Sequence, residues 1–143
     1  MNEPIVFFAH GIPKGQPRPK AFSRGGHARV YDPGTAEGWK GAVAVGWKDR
    51  PLSCNPLPDA PLHLELLFAM PRPKGHLNSK GIIKESSPDW HTSTPDVDNM
   101  AKAVMDALTH LSAWRDDALV AKLTVEKRYG SPTGCLIRIT PLT

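Results

Sequence analysis

Cysteine is scarce in this chain: Cys54 and Cys135 are the only two among 143 residues. Two cysteines build neither a disulfide framework nor a CxxC zinc pattern, and a reducing, cytoplasmic setting is expected. Long hydrophobic runs are missing as well. The longest, Leu62 to Met70, is broken by His63 and Glu65 and falls far short of the ~20 apolar residues that span a bilayer. The opening Met1-Asn2-Glu3-Pro4 has no basic, apolar leader, so no signal peptide is expected. The six histidines are scattered, with none at metal-ligand spacing to another. Acid is absent from Pro4 to Tyr31 and again from Leu66 to Lys84.

What is present suits one globular domain over residues 1–143, with Trp39, Trp47, Trp90 and Trp114 available to a core. The net charge of +4 hides a division. Residues 89–126 hold seven acids against three Lys/Arg, and the remainder is strongly basic. The acid-free segments carry Lys14, Arg18, Lys20, Arg24 and Arg29, then Arg72, Lys74, Lys80 and Lys84. Basic loops of this kind can track a phosphate backbone, with salt-dependent affinity blind to sequence. The alternative is a set of solvated loops.

Ile5 to His10 reads as a short strand, apolar on both faces, followed by the Pro/Gly-rich loop Gly11 to Pro19. Asp32-Pro33 reads as a helix cap, with Ala36, Trp39, Lys40, Val43 and Trp47 at helical spacing after it. Leu62, Leu64, Leu66 and Phe68 alternate as a strand. Residues 71–95 show little periodicity and read as a long loop. Val97, Met100, Ala101, Val104, Leu108 and Leu111 mark one face of a helix. Leu119, Ala121, Leu123 and Val125, then Cys135, Ile137 and Ile139, alternate as two more strands. The order is strand, helix, strand, long loop, helix, strand, strand.

The chemistry concentrates in Pro95-Asp96-Val97-Asp98-Asn99 and in Arg115-Asp116-Asp117-Ala118, at the two ends of that second helix. One aspartate before a helix is an ordinary cap; Asp96 and Asp98 with Asn99 exceed what a cap requires. Lys102 lies four residues after Asp98, and Asp106 four after Lys102, so they share a polar face. That face reads either as an ion-pair ladder or as part of a site, and for Asp106 alone a structural role is expected. Asp117 follows Asp98 by nineteen residues, and joins it only if the chain doubles back after the helix. Carboxylates ~4 Å apart repel by about 4 kcal/mol at an effective dielectric of 20, which a cation relieves. Oxygen ligands select a hard ion, Mg²⁺ or Mn²⁺, able to activate water and screen a phosphodiester. Lys102 would then face the phosphate.

Other acidic motifs fit poorly. An EF-hand loop needs a third acid and a glycine after Asp98, where Met100 stands. Aspartyl phosphatases place their Asp-x-Asp after an apolar strand, not after Ser93-Thr94-Pro95. Two classes remain: a metal-dependent hydrolase of nucleic acid, and a non-catalytic nucleic-acid binder. The binder could dispense with one of the three aspartates, and all three are here.

Pro95-Asp96-Val97-Asp98-Asn99-Met100-Ala101-Lys102-Ala103-Val104-Met105-Asp106-Ala107-Leu108, then Trp114-Arg115-Asp116-Asp117-Ala118-Leu119-Val120, resembles the RusA family of Holliday-junction resolvases. Pro13 to Pro19 and Tyr31-Asp32-Pro33 are similar to phage and prophage members. The resemblance implies a small α/β (α+β) fold, a mixed sheet of about four strands with two to three helices packed on it. It implies a homodimer and Mg²⁺-dependent, symmetric nicking of four-way DNA junctions, in recombination and repair. By matching position, Asp96, Asp98 and Asp117 are the expected metal-binding catalytic carboxylates and Lys102 the catalytic-site lysine; Asn99, Asp106 and Asp116 stand behind them. Lys14, Arg18, Lys20, Arg24, Arg72, Lys74 and Lys80 are the expected DNA contacts. Some members carry arginines just before the first aspartate; here the residues are His91-Thr92-Ser93-Thr94-Pro95, which shifts the basic role to Arg72 through Lys84.

Overall fold

The computed structural model describes residues 3–17, 20–24, 27–31, 36–51 and 57–142, with backbone alone for 20–24 and 27–31. The elements are β1 (Ile5–His10), β2 (Lys20–Arg24), β3 (His27–Tyr31), α1 (Glu37–Lys48), β4 (Leu62–Met70), α2 (Val97–His110), β5 (Val120–Tyr129) and β6 (Gly134–Pro141). Short 3-10 turns occupy Lys74–His76 and Asp117–Leu119. Four strands form a mixed sheet in the order β1-β6-β4-β5, and β2 and β3 form a separate hairpin. The fold is α+β, as expected.

In β4 the alternation works as read: Leu62, Leu64, Leu66, Phe68 and Met70 are buried, and His63, Glu65, Leu67 and Ala69 face away. Each buried leucine contributes about 2 kcal/mol relative to exposure. Trp39 and Val43 of α1 and Met100, Ala101, Val104 and Leu108 of α2 close the other side of the core. Gly46 lets α1 sit close on β1, since a Cβ there would meet the Phe8 carbonyl oxygen at 2.8 Å. The partly buried Trp47 packs edge-on to Phe7, ring centroids 5.7 Å apart.

Three features differ from the sequence reading. The hairpin β2–β3 falls where no strand was expected. Helix α1 begins at Glu37 with Ala36 at its N-cap, and Asp32-Pro33 lies outside the described residues. In β5 the even alternation from Leu119 fails at a bulge: Leu62 pairs with Val120 but His63 pairs with Lys122, so Ala121 is the extra residue. Leu123 then lines up with Leu64, yet it is 46% exposed because β5 is the sheet edge.

β4 and β5 are parallel, while β6 runs antiparallel to both of its neighbours. A parallel pair needs a crossover, and α2 supplies it. The helix carrying the acidic motif is thereby fixed across the sheet.

Candidate functional site

Asp96 occupies the N-cap of α2 in extended backbone, and its carbonyl accepts from the Met100 N–H at 3.0 Å. Its carboxylate, however, caps no helix N–H. Among the described residues the Asp98 carboxylate accepts only the N–H of Asn99, at 2.9 Å. Both residues are exposed. Two carboxylates at a helix start, neither consumed by capping, present oxygen donors to solvent, and that donor chemistry fits a hard divalent cation.

Two segments hold this turn. From one side, the loop after β1 docks on it: the Gln16 N–H donates to the Asn99 carbonyl at 2.9 Å. Gly15 makes the approach feasible, because a Cβ there would lie 3.2 Å from the Cβ atoms of both Asn99 and Pro95. Pro13 is fully buried, while Lys14 stays exposed. From the other side, Lys127 Nζ on β5 donates to the carbonyls of Ser93 (2.6 Å) and Pro95 (2.8 Å). Lys127 was not read from the sequence. Its signal was a lysine on the inward rhythm Val125, Lys127, Tyr129.

The far end of α2 does double back. Ser112 adopts a left-handed φ of 57°, and the Ala113 N–H reaches back to the Leu108 carbonyl at 3.0 Å, the 6→1 bond of a Schellman turn. Buried Trp114 then donates its indole N–H to Thr109 Oγ1 at 2.8 Å. This return carries Asp116 and Asp117 back alongside α2. Asp116 accepts from the Ala118 N–H at 2.9 Å, and that bond, with the one shared with Asp117, holds its carboxyl below the usual range. Asp117 shifts the other way. Partial desolvation in the turn leads, with the shared hydrogen bond and the charges of Asp116 and Asp106 behind it, and Lys102 opposes.

Asp117 thus lies near enough to Lys102 and Asp106 for their charges to act on its carboxyl, while Asp96 and Asp98 stand at the helix start. Among the described residues no three His, Cys, Asp or Glu side chains are gathered as a ready metal cluster. The ladder from Asp98 through Lys102 to Asp106 does not form: Asp106 pairs with Lys40 of α1 at 2.6 Å, with His110 at 3.8 Å. Lys102 is exposed and has no ion-pair partner within 4 Å among the described residues.

The 71–95 loop is internally bonded. Asn78 Oδ1 accepts from the N–H groups of Lys80 and Ile82, and Lys84 N–H donates to the His76 carbonyl at 2.9 Å. Lys74 and Lys80 project from it exposed. Arg72 is engaged inside, donating to the Pro88 carbonyl at 2.8 Å, 3.5 Å from Asp89 and above the Tyr129 ring. His91 packs edge-on to Tyr129, and burial and the Lys127 charge push its pKa below the usual value. Lys20 and Arg24 lie on β2, Arg18 lies outside the described residues, and the side chains of all three go undescribed.

At the start of α2, then, two exposed carboxylates, an exposed lysine one turn on and the docked loop carrying Lys14 follow one another. Comparison with known proteins supplies the class. The family described as "Endodeoxyribonuclease RusA" matches residues 10–140. The chain belongs to the RusA endodeoxyribonuclease family. It is also 34% identical, over 128 residues and 87% of each chain, to "Uncharacterized protein YqaN" of Bacillus subtilis (strain 168). No helix among the described residues is long and apolar enough to cross a membrane.

Proposed function

We propose that this chain is a Mg²⁺-dependent, structure-specific endonuclease that resolves four-way DNA junctions by paired symmetric nicks, in recombination and repair. The observation that carries the reading is the Asp96/Asp98 turn, whose two carboxylates are exposed and spent on no cap, with Gln16 tying the basic loop to it.

Asp96, Asp98 and Asp117 would hold the cation; Mn²⁺, with the same preference for oxygen, would substitute. When bound, the ion supplies charge to the scissile phosphate and lowers the pKa of the attacking water. The chain does the rest. Lys102, one turn beyond Asp98, sets a positive charge where negative charge grows on the phosphate. Asn99, Asp106 and Asp116 orient the groups around them: Asp106 is held by Lys40, and Asp116 shares a hydrogen bond with Asp117. Lys14, Arg18, Lys20, Arg24, Lys74 and Lys80 contact the DNA backbone, with Arg72 shaping the loop that presents the last two. A homodimer matches the two-fold of a junction and supplies a site for each cut. The setting is the reducing cytoplasm, on chromosomal or phage DNA.

The test is strand-resolved cleavage of a synthetic four-way junction with Mg²⁺, beside a linear duplex and a flap, using wild type and Asp98→Asn. Paired symmetric nicks in the junction alone, lost in the variant while binding persists, support the proposal. Equal cutting of flap and junction makes it a broader branched-DNA nuclease. Tight junction binding with no cutting in Mg²⁺ or Mn²⁺ makes it a non-catalytic junction binder.

A further inference from the structure

Lys127 sits on the core-facing side of β5, opposite buried Phe68, where an apolar residue would continue the pattern of Val125. Its ammonium meets no acid: among the described residues it has no carboxylate within 4 Å. Its donors go instead to two uncharged carbonyls, Ser93 at 2.6 Å and Pro95 at 2.8 Å. Those carbonyls belong to the strand of chain that runs directly into Asp96.

The same strand is fastened to β5 by its backbone. The His91 N–H donates to the Lys127 carbonyl at 3.2 Å, and the Tyr129 N–H donates to the Asp89 carbonyl at 2.9 Å. Trp90 and Arg128 form an isolated antiparallel bridge, with the guanidinium 4.0 Å from the indole centroid. Among the described residues these backbone contacts stop at His91, and from there to Val97 the Lys127 ammonium is the hydrogen-bonded link to the sheet. Just beyond, Gln16 N–H to the Asn99 carbonyl ties the first turn of α2 to the loop after β1.

We propose that Lys127 is a positioning residue for the acidic site, its ammonium holding the backbone of Ser93 and Pro95 so that Asp96 and Asp98 present their carboxylates together. The inference rests on reading those two aspartates as cation ligands. Lys127 touches neither substrate nor ion; it acts through the turn. Residues that orient metal ligands in this way typically account for 10–100-fold in metal affinity.

The sign of the effect separates positioning from mere charge. If Lys127 acted on the site only as a nearby cation, removing it would tighten divalent-ion binding. If it positions the turn, removing it weakens binding despite the lost positive charge. The experiment is a titration of the full-length protein with Mn²⁺ alone, free ion counted by electron paramagnetic resonance, for wild type, Lys127→Met, Lys127→Arg and Asp98→Asn. The expected result is a dissociation constant roughly tenfold higher in Lys127→Met, mostly recovered in Lys127→Arg. Unchanged or tighter binding in Lys127→Met overturns the inference while leaving the metal site standing. Wild-type binding insensitive to Asp98→Asn overturns the metal site itself, and the inference with it. If Lys127→Met does not fold, Lys127→Thr, suited to a strand and too short to reach either carbonyl, takes its place with the same expected rise.

Discussion

The backbone N–H of Gln16 donates to the carbonyl of Asn99 at 2.9 Å, joining the loop after β1 to the first turn of α2, 83 residues further along the chain. This bond ties the loop carrying Lys14 to the turn carrying Asp96 and Asp98.

Gly15 is the contact that permits this. Gly15→Val would drive its side chain into Asn99 and Pro95, whose Cβ atoms already lie 3.2 Å from where a Cβ would sit. The loop must lift. Cleavage should fall by roughly 10- to 100-fold, the cost of a displacement of about an ångström at a site of this kind. The melting temperature should drop by less than about 4 °C, the shift of about 1 kcal/mol in a domain this size. Calorimetry beside single-turnover cleavage checks both; an equal collapse of stability would show that the loop supports the fold.

Lys14→Ala should weaken junction binding at every sequence and flatten its dependence on salt. One lost phosphate contact lowers the slope of log affinity against log salt by about 0.9. Binding isotherms across a range of salt concentrations measure this, and an unchanged slope would place Lys14 off the DNA.

Asp117→Asn should raise the melting temperature at neutral pH while ending cleavage. A carboxyl whose pKa rises on folding takes up a proton more readily in the native state, so its ionised form opposes folding above that pKa. The raised value of Asp117 comes from partial desolvation first and from Asp116 and Asp106 next. The advantage of Asn over Asp should shrink as pH falls into and below the ordinary carboxylate range. Asp116 carries the opposite sign: its lowered pKa lends stability that is lost only on stronger acidification. Thermal melts of both Asn variants from pH 3 to pH 8 separate them.

Gly134→Ala should cost about 3 kcal/mol or more. Gly134 has a φ of +150°, and a Cβ there would fall 2.1 Å from the Ala9 carbonyl oxygen and 2.6 Å from the Phe8 ring. No rotamer change relieves a clash with backbone, so the β1–β6 pairing has to open. Urea unfolding monitored by tryptophan fluorescence measures the loss.

Much of the scaffold was legible because β4 and α2 carry clean periods of two and 3.6, and burial follows them residue by residue. The hairpin β2–β3 was also written in the chain: Gly25-Gly26 between Lys20–Arg24 and His27–Tyr31 is a two-residue turn signal. Its lysine and arginines made it read as a loop. The β5 bulge at Ala121 had no local sign, because a register shift belongs to the pairing of two strands. At the site, Asp96, Asp98, Asp117 and Lys102 were singled out by their spacing and by the resemblance, and spacing left open whether Asp117 meets the other two. The partners of Lys40 and Lys127 could not be read, because Asp106 lies 66 residues from one and the carbonyl of Ser93 34 residues from the other. Such contacts exist only once the sheet has assembled.

The bulge has a bearing on how the chain behaves in company. β5 ends the sheet, and its later half is bridged through Trp90 and Arg128. Its earlier half is guarded differently: the extra residue Ala121 breaks the flat row of amide groups, and exposed Lys122 sets a charge beside it. Both features discourage a stray strand from adding to the edge. Along β5, then, the chain's own irregularity and charge take the place of a neighbouring strand as the edge's protection.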